Sequence, residues 1–235
     1  MRMAIFSDVH GNLTALEAVA AALRDDRPDL VLHGGDLADG GSSGCEVVDL
    51  VRAFGCAGVA GNTDEMLFRP ESLAEFARGK DVLQPIWSAL EEVAAFTRDK
   101  LGSGRLAWLA NLPPSVVTAD VLLVHASPTN SWRAPAEAEL ESVFPGPQPV
   151  SVYGHVHVGS VRQVGERYIA NSGSVGLPYD GDPRASYLII DDGVPELRRV
   201  EYDMEQEIAR LKQSGVPHAE WTAAMLRAAR PVSFQ

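Results

Sequence analysis

Three short apolar runs in the first 63 residues, "MAIFSD", "DLVLHGGD" and "CAGVAGNTD", are separated by two stretches of helical periodicity. "NLTALEAVAAALRDD" repeats apolar residues at helical spacing through Leu13, Leu16, Val19, Ala20 and Leu23, with Asn12 placed to cap it. "CEVVDLVRAFG" is a second helix closed by Gly55. This β-α-β-α-β order predicts a largely parallel sheet covered by helices. Residues 64–112 read as a helical insert, with "QPIWSALEEVAAFTRDKLG" and "GRLAWLANL" its clearest helices, stopped by Pro113 and Pro114. Seven short runs then follow, "SVVTA", "VLLVHA", "VSVYGH", "GSVRQV", "RYIAN", "ASYLIIDD" and "VPELRRVEYD", so the second half is mostly strands. Two helices, at about 203–214 and 217–229, close the chain. "FPGPQP" at 144–149 reads as a stiff loop, and no repeat or linker divides residues 1–235, so one domain is expected.

The apolar runs share a second property: five of them finish in Asp, Asn or His, mostly beside glycine. These are Asp8 and His10, Asp36, Asn62, His125, and His155 with His157. Strand ends on one edge of a sheet gather into one site. Asp8 and His10, and likewise His155 and His157, stand two apart. In extended chain that spacing puts both side chains on one face, roughly 6.5 Å apart, which suits a metal or a close metal pair. Singly, each residue is equally well a turn former or cap. The set holds Asp, Asn and His but no thiolate, which favours Mn²⁺, Fe or Zn²⁺.

Composition limits the partners. The formal charge of −12 opposes generic binding of nucleic acid or anionic membranes. No apolar stretch is long enough to span a membrane, and the apolar part of "MRMAIFSDVHG" is too short for a signal peptide, so a cytoplasmic protein is expected. Cys45 and Cys56, the only cysteines, fit no zinc spacing and read as buried thiols. No P-loop or His-Glu-x-x-His pattern is present.

The blocks "DVHGN" (8–12), "GGD" (34–36), "GN" (61–62), "VH" (124–125) and "GHVH" (154–157) resemble, in order and spacing over roughly residues 3 to 190, the calcineurin-like metallophosphoesterases. The later "NSGSVGLPYDGDPRASY" (171–187) is similar to the YfcE-like phosphodiesterase branch. The resemblance implies an α/β fold, a four-layer α/β/β/α sandwich with two facing mixed sheets. It implies two divalent metal ions, foremost Mn²⁺, with Fe, Zn²⁺ or Ni²⁺ as alternatives. Asp8, His10, Asp36 and His157 would hold the first, and Asp36, Asn62, His125 and His155 the second, with Asp36 shared. It also implies hydrolysis of a small phosphate ester by in-line attack of a hydroxide bridging the metals, with Asp36, Asn62 and His125 acting through them.

Thr63 departs from the family pattern, where histidine commonly follows the asparagine and can protonate the leaving oxygen. Threonine cannot carry that proton at neutral pH, so phosphodiesters or esters with good leaving groups are expected over alkyl monoesters. Ala126, where glycine is commoner, is the other departure. A phosphomonoesterase or protein phosphatase, or a scaffold that has abandoned catalysis, are the competing readings. Asn12, Thr63 and Arg184 are candidate substrate contacts, although a cap explains Asn12 and a salt bridge to a nearby aspartate explains Arg184 equally well. Tyr179, Asp180 and Asp182 are placed to shape the mouth, and Asn171 and Ser172 to lie near the metals. His33 reads as a hydrogen-bonded strand-end residue and His218 as exposed. Trp87, Phe96 and Trp108 read as core, and the insert is positioned to form one wall of the cleft. A homo-oligomer is compatible with the strand edges.

Overall fold

The computed structural model describes residues 1–80 and 83–234. Strands β1 (Met3–Phe6), β2 (Leu30–His33) and β3 (Ala57–Gly58) run parallel, joined by α1 (Leu13–Asp26) and α2 (Gly44–Phe54). Asn12 caps α1, accepting from the Ala15 N–H, and Gly55 ends α2 with φ 63°. The third run pairs over only two residues, because the chain leaves the sheet there to pack Gly61 against the Asp36 loop.

The insert forms α3 (Asn62–Phe68), α4 (Glu71–Ala77) and α5 (Gln84–Ala110). α5 breaks at Gly102, whose φ of 69° is outside helical geometry, so it acts as the two helices expected from the sequence. Positions 81 and 82 of the expected helical stretch lie outside the described residues.

The second sheet has the order β4 (Ser115–Val117), β5 (Val121–Val124), β6 (Val150–Tyr153), β8 (Arg167–Asn171) and β7 (Ser160–Val164), with β5, β6 and β8 parallel. β9 (Ala185–Asp191) and β10 (Val194–Val200) return to the first sheet: β9 pairs antiparallel with β1, giving the order β10-β9-β1-β2-β3. α7 (Met204–Ser214) and α8 (Ala219–Ala228) close the chain.

Alternation along β1 sets the layers. Met3 and Ile5 point between the sheets, where they meet Leu32, Leu123, Val152 and Leu188. Ala4 and Phe6 point outward into the helices, against Leu16, Val19, Val48 and Val51. A strand buried on both faces reads as a continuous apolar run. Full burial of a side chain such as Phe6 or Ile5 contributes about 1.5–3 kcal/mol. The outer face of the second sheet is covered by little more than one helical turn, α6 (Leu140–Val143), with Phe144 and the proline-rich loop. No described helix is long and apolar enough to cross a membrane. Cys45 and Cys56 are free and half-buried, not buried as expected. Trp87, Phe96 and Trp108 are half-buried against the helix-side cores.

Candidate metal centre

Because β1, β2 and β3 are parallel, and β5 is parallel to β6, their C-terminal ends open on common edges. Asp8 and His10 follow β1, Asp36 follows β2, Asn62 starts α3, His125 follows β5, and His155 and His157 follow β6. The strands stop before these residues. Asp8, His10, Asp36, His155 and His157 all have φ between 49° and 68°. This corrects the extended-chain expectation: left-handed backbone, not strand alternation, turns the side chains into one site. Such conformations cost roughly 1–2 kcal/mol per non-glycine residue and persist only where the surroundings enforce them.

Here the loops enforce one another. Asp8 N–H donates to Gly35 O, His10 N–H to Asp36 O, and Gly11 N–H to Leu37 O. The Asp64 carboxylate accepts from the backbone N–H groups of Asp36, Leu37 and Gly61. His155 N–H reaches both Asp8 oxygens at 3.1 Å. Glycine is required at the closest approaches. A Cβ on Gly61 would overlap Asp36 Oδ1, and one on Gly154 would overlap Asp8 Oδ2. Ser174 Oγ donates to Asp8 O, and Asn171 Nδ2 to Gly154 O, so the 171–176 loop braces two of the ligand-bearing turns.

The tautomers follow from backbone acceptors. Nδ1 of His10 faces Asp39 O (3.0 Å), that of His157 faces Leu177 O (2.6 Å), and that of His125 faces Gly34 O (2.8 Å). A carbonyl only accepts, so each Nδ1 carries a proton and Nε2 is the atom turned inward, with a lone pair whenever the ring is neutral. Those lone pairs meet other lone pairs. His10 Nε2 lies 3.1 Å from His157 Nε2, and His157 Nε2 lies 3.3 Å from Asp8 Oδ1. His125 Nε2 lies 2.9 Å from Asn62 Oδ1, which is itself 2.8 Å from His155 Nδ1. Asp36 Oδ2 sits between the groups, 3.6 Å from His10 Nε2 and 3.5 Å from His125 Nε2. One ligand atom each from Asp8, His10, Asp36 and His157 falls within 4.8 Å of the others. Converging acceptors call for positive charge, and a divalent cation fits this nitrogen–oxygen set.

The electrostatics point the same way. Burial works to raise the Asp36 and Asp8 carboxyls, but the facing histidines hold both below the ordinary carboxylate range. Burial works to lower His125, yet Asp36 pulls it up to about 10, and Asp8 likewise raises His157. His10 and His155 are pushed down, His155 to about 4, by burial and neighbouring imidazoles.

The seven candidate ligands are thus brought together, while the candidate substrate residues divide. Thr63 faces the cleft, its N–H donating to Asp36 Oδ1 and its buried hydroxyl lacking a protein partner. Asn12 does not: its oxygen caps α1 and its amide donates to Gly176 O. Of the two readings of Arg184, the salt bridge holds and the substrate contact does not. The side chain is exposed, paired with Asp182 two residues earlier, and does not line the cleft. Asp180 pairs with Arg199, and Tyr179 stacks on His157 with centroids 4.5 Å apart.

His33 is fully buried against Phe6 and Trp108, and neither ring nitrogen has a protein partner, contrary to expectation. His218 is half-buried, paired with Glu92. Sequence reasoning missed Asp64 and Asp39. Asp64 was visible in "GNTD" as a carboxylate in the first turn of α3. Asp39 lies in the glycine-rich "GGDLADGG", where it fixes His10 through its carbonyl and faces the cleft with an unpartnered Oδ1. Burial pushes both carboxyls up to about 7.

Comparison with known proteins agrees with this geometry. A solved metallophosphoesterase of Sphaerobacter thermophilus is 32% identical, with a TM-score of 0.79 over 97% of this chain and 99% of that chain. An uncharacterised protein of Methanocaldococcus jannaschii is 28% identical over 95% of this chain and 96% of its own length. The E. coli phosphoesterase Yfce, at 21% identity and a TM-score of 0.50 over 86% of this chain and 100% of that one, shares the fold. The calcineurin-like phosphoesterase superfamily domain matches residues 1–192, leaving α7 and α8 beyond it. With paired mixed sheets, converging histidines and carboxylates, and that match over most of its length, the chain belongs to the calcineurin-like phosphoesterase superfamily, hydrolases of phosphate esters.

Proposed function

We propose that the protein is a phosphodiesterase that works with two divalent cations, Mn²⁺ foremost. Asp8, His10, Asp36 and His157 would hold one, and Asp36, Asn62, His125 and His155 the other. The observation that carries this reading is the position of Asp36 Oδ2, one oxygen facing the inward nitrogens of both histidine groups. When bound, such a pair of cations polarises the phosphoryl oxygens and supplies a water nucleophile at neutral pH.

The chain's own residues supply placement. The backbone hydrogen bonds of His10, His125 and His157 fix ring orientation and tautomer. Thr63 N–H holds the second Asp36 oxygen, so the carboxylate cannot rotate away from the shared position. The Thr63 hydroxyl can donate a hydrogen bond to a phosphoryl oxygen but cannot protonate an alkoxide leaving group at neutral pH. That supports diesters, and esters of acidic alcohols, as substrates.

The test is a metal-reconstituted assay on matched mono- and diesters with Asn62→Ala and His125→Ala controls. Diester turnover above monoester turnover, lost in both folded variants, is expected. Monoester turnover well above diester turnover would refute the phosphodiesterase assignment.

A further inference from the structure

We propose that the cleft above the metal centre selects phosphate esters carrying an apolar aryl or branched-alkyl group and discriminates against nucleotides. This rests on the phosphoesterase reading of the same site. A cleft of about 350 Å³ rises from His10, Asp36, Asn62 and His157. α5 lines it with Ile86, Leu90 and Val93, and α8 with Trp221 and Met225, Val232 lying beyond. The α8 side lies beyond residues 1–192, the part matched by the superfamily domain.

Three features define what the cleft accepts. Among the described residues no lysine or arginine lines it, and its carboxylates are Asp36 and Asp39. The cations, when bound, would neutralise one phosphate, but a second would meet no counter-charge. Unpartnered polar atoms of the cleft, Asp39 Oδ1 and Thr63 Oγ1, belong to residues bonded to the ligands His10 and Asp36, whereas two polar tips higher in the walls are engaged within the protein. Trp221 Nε1 donates to Val232 O at 2.8 Å, and Tyr179 Oη meets Met225 Sδ at 3.5 Å. A nucleobase among the α5 and α8 side chains would therefore bury its donors and acceptors with few partners, which is costly, whereas the ring faces and aliphatic side chains there suit an apolar substituent. The volume is at the low end for small-molecule sites, which limits the size of that substituent.

The experiment compares two diesters with one leaving group on the metal-loaded full-length enzyme: 4-nitrophenyl phenyl phosphate and the 4-nitrophenyl ester of thymidine 5′-monophosphate. A kcat/KM ratio of at least about tenfold in favour of the phenyl ester is expected. Trp221→Ala and Ile86→Lys, each checked for folding, should bring that ratio toward one. A nucleoside ester hydrolysed as well as the phenyl ester overturns the proposal. Calorimetry with phenyl phosphate and AMP, two esters of equal charge, separates this from failure of the phosphoesterase reading. If neither diester is hydrolysed, that reading fails, while tighter binding of phenyl phosphate still supports the apolar cleft and equal or tighter binding of AMP overturns it.

Discussion

His10 and His157 face each other through Nε2 atoms 3.1 Å apart, with both rings tethered by Nδ1 to backbone carbonyls. Two inward lone pairs at that distance repel unless a proton or a cation lies between them. A cation binding the folded chain alone stabilises it by mass action, about 2.7 kcal/mol at a hundredfold excess over Kd. For a chain of this size, Mn²⁺ should raise Tm by roughly 5–10 °C, and chelation should reverse the shift. Calorimetric scans with and without Mn²⁺ check this; an unchanged Tm speaks against a built metal site.

Asp36 is predicted to matter to both cation positions. Asp36→Asn keeps the shape and an acceptor for Thr63 N–H but removes the shared charge. Turnover should fall by about 10²-fold or more, and bound metal measured by elemental analysis should fall with it. Full metal content with normal turnover would show that Asp36 is not shared.

Gly61 tests how tightly the backbone is drawn around the site. A Cβ there overlaps Asp36 Oδ1, so Gly61→Ala should displace that carboxylate and depress metal affinity and activity together. Gly104, exposed in α5 with nothing within 4 Å of a Cβ, is the control. Gly104→Ala should leave activity intact and stabilise the helix by about 1 kcal/mol. Urea unfolding and activity assays of the two variants separate crowding at the site from a general effect of losing glycine.

His33 predicts a pH dependence of stability. Burial lowers its folded pKa from 6.5 to about 4. Between those values the unfolded chain binds the proton more readily, so the contribution is full above pH 6.5 and is lost as pH falls toward 4. Between pH 7.5 and 5.0, His33→Phe should lose about 2 kcal/mol less than the wild type. Urea unfolding of the metal-loaded proteins measures this, and equal losses would contradict it.

The convergence of chemistry at strand ends was legible because parallel strands buried on both faces read as unbroken apolar runs, and the residue after each run stands out. Asp8, Asp36 and His125 could be singled out that way. Their left-handed backbone could not, because it is set by hydrogen bonds between loops distant in sequence, such as Asp8 N–H to Gly35 O. The pairing of β9 with β1 was hidden for the same reason: nothing local in "ASYLIIDD" names a partner nearly two hundred residues away. For Arg184 the sequence left phosphate and a nearby aspartate equally open, and the fold pairs it with Asp182, two positions earlier. The cleft wall on α8 was illegible because Trp221 and Met225 look like ordinary helix-core residues until the fold brings α8 to the cleft that α5 also lines.

The most direct measurement is anomalous diffraction from crystals of the Mn²⁺-loaded protein. Two peaks are predicted, one enclosed by Asp8, His10, Asp36 and His157, the other by Asp36, Asn62, His125 and His155. Manganese bound only elsewhere, or no ordered ion at these side chains, would contradict the account.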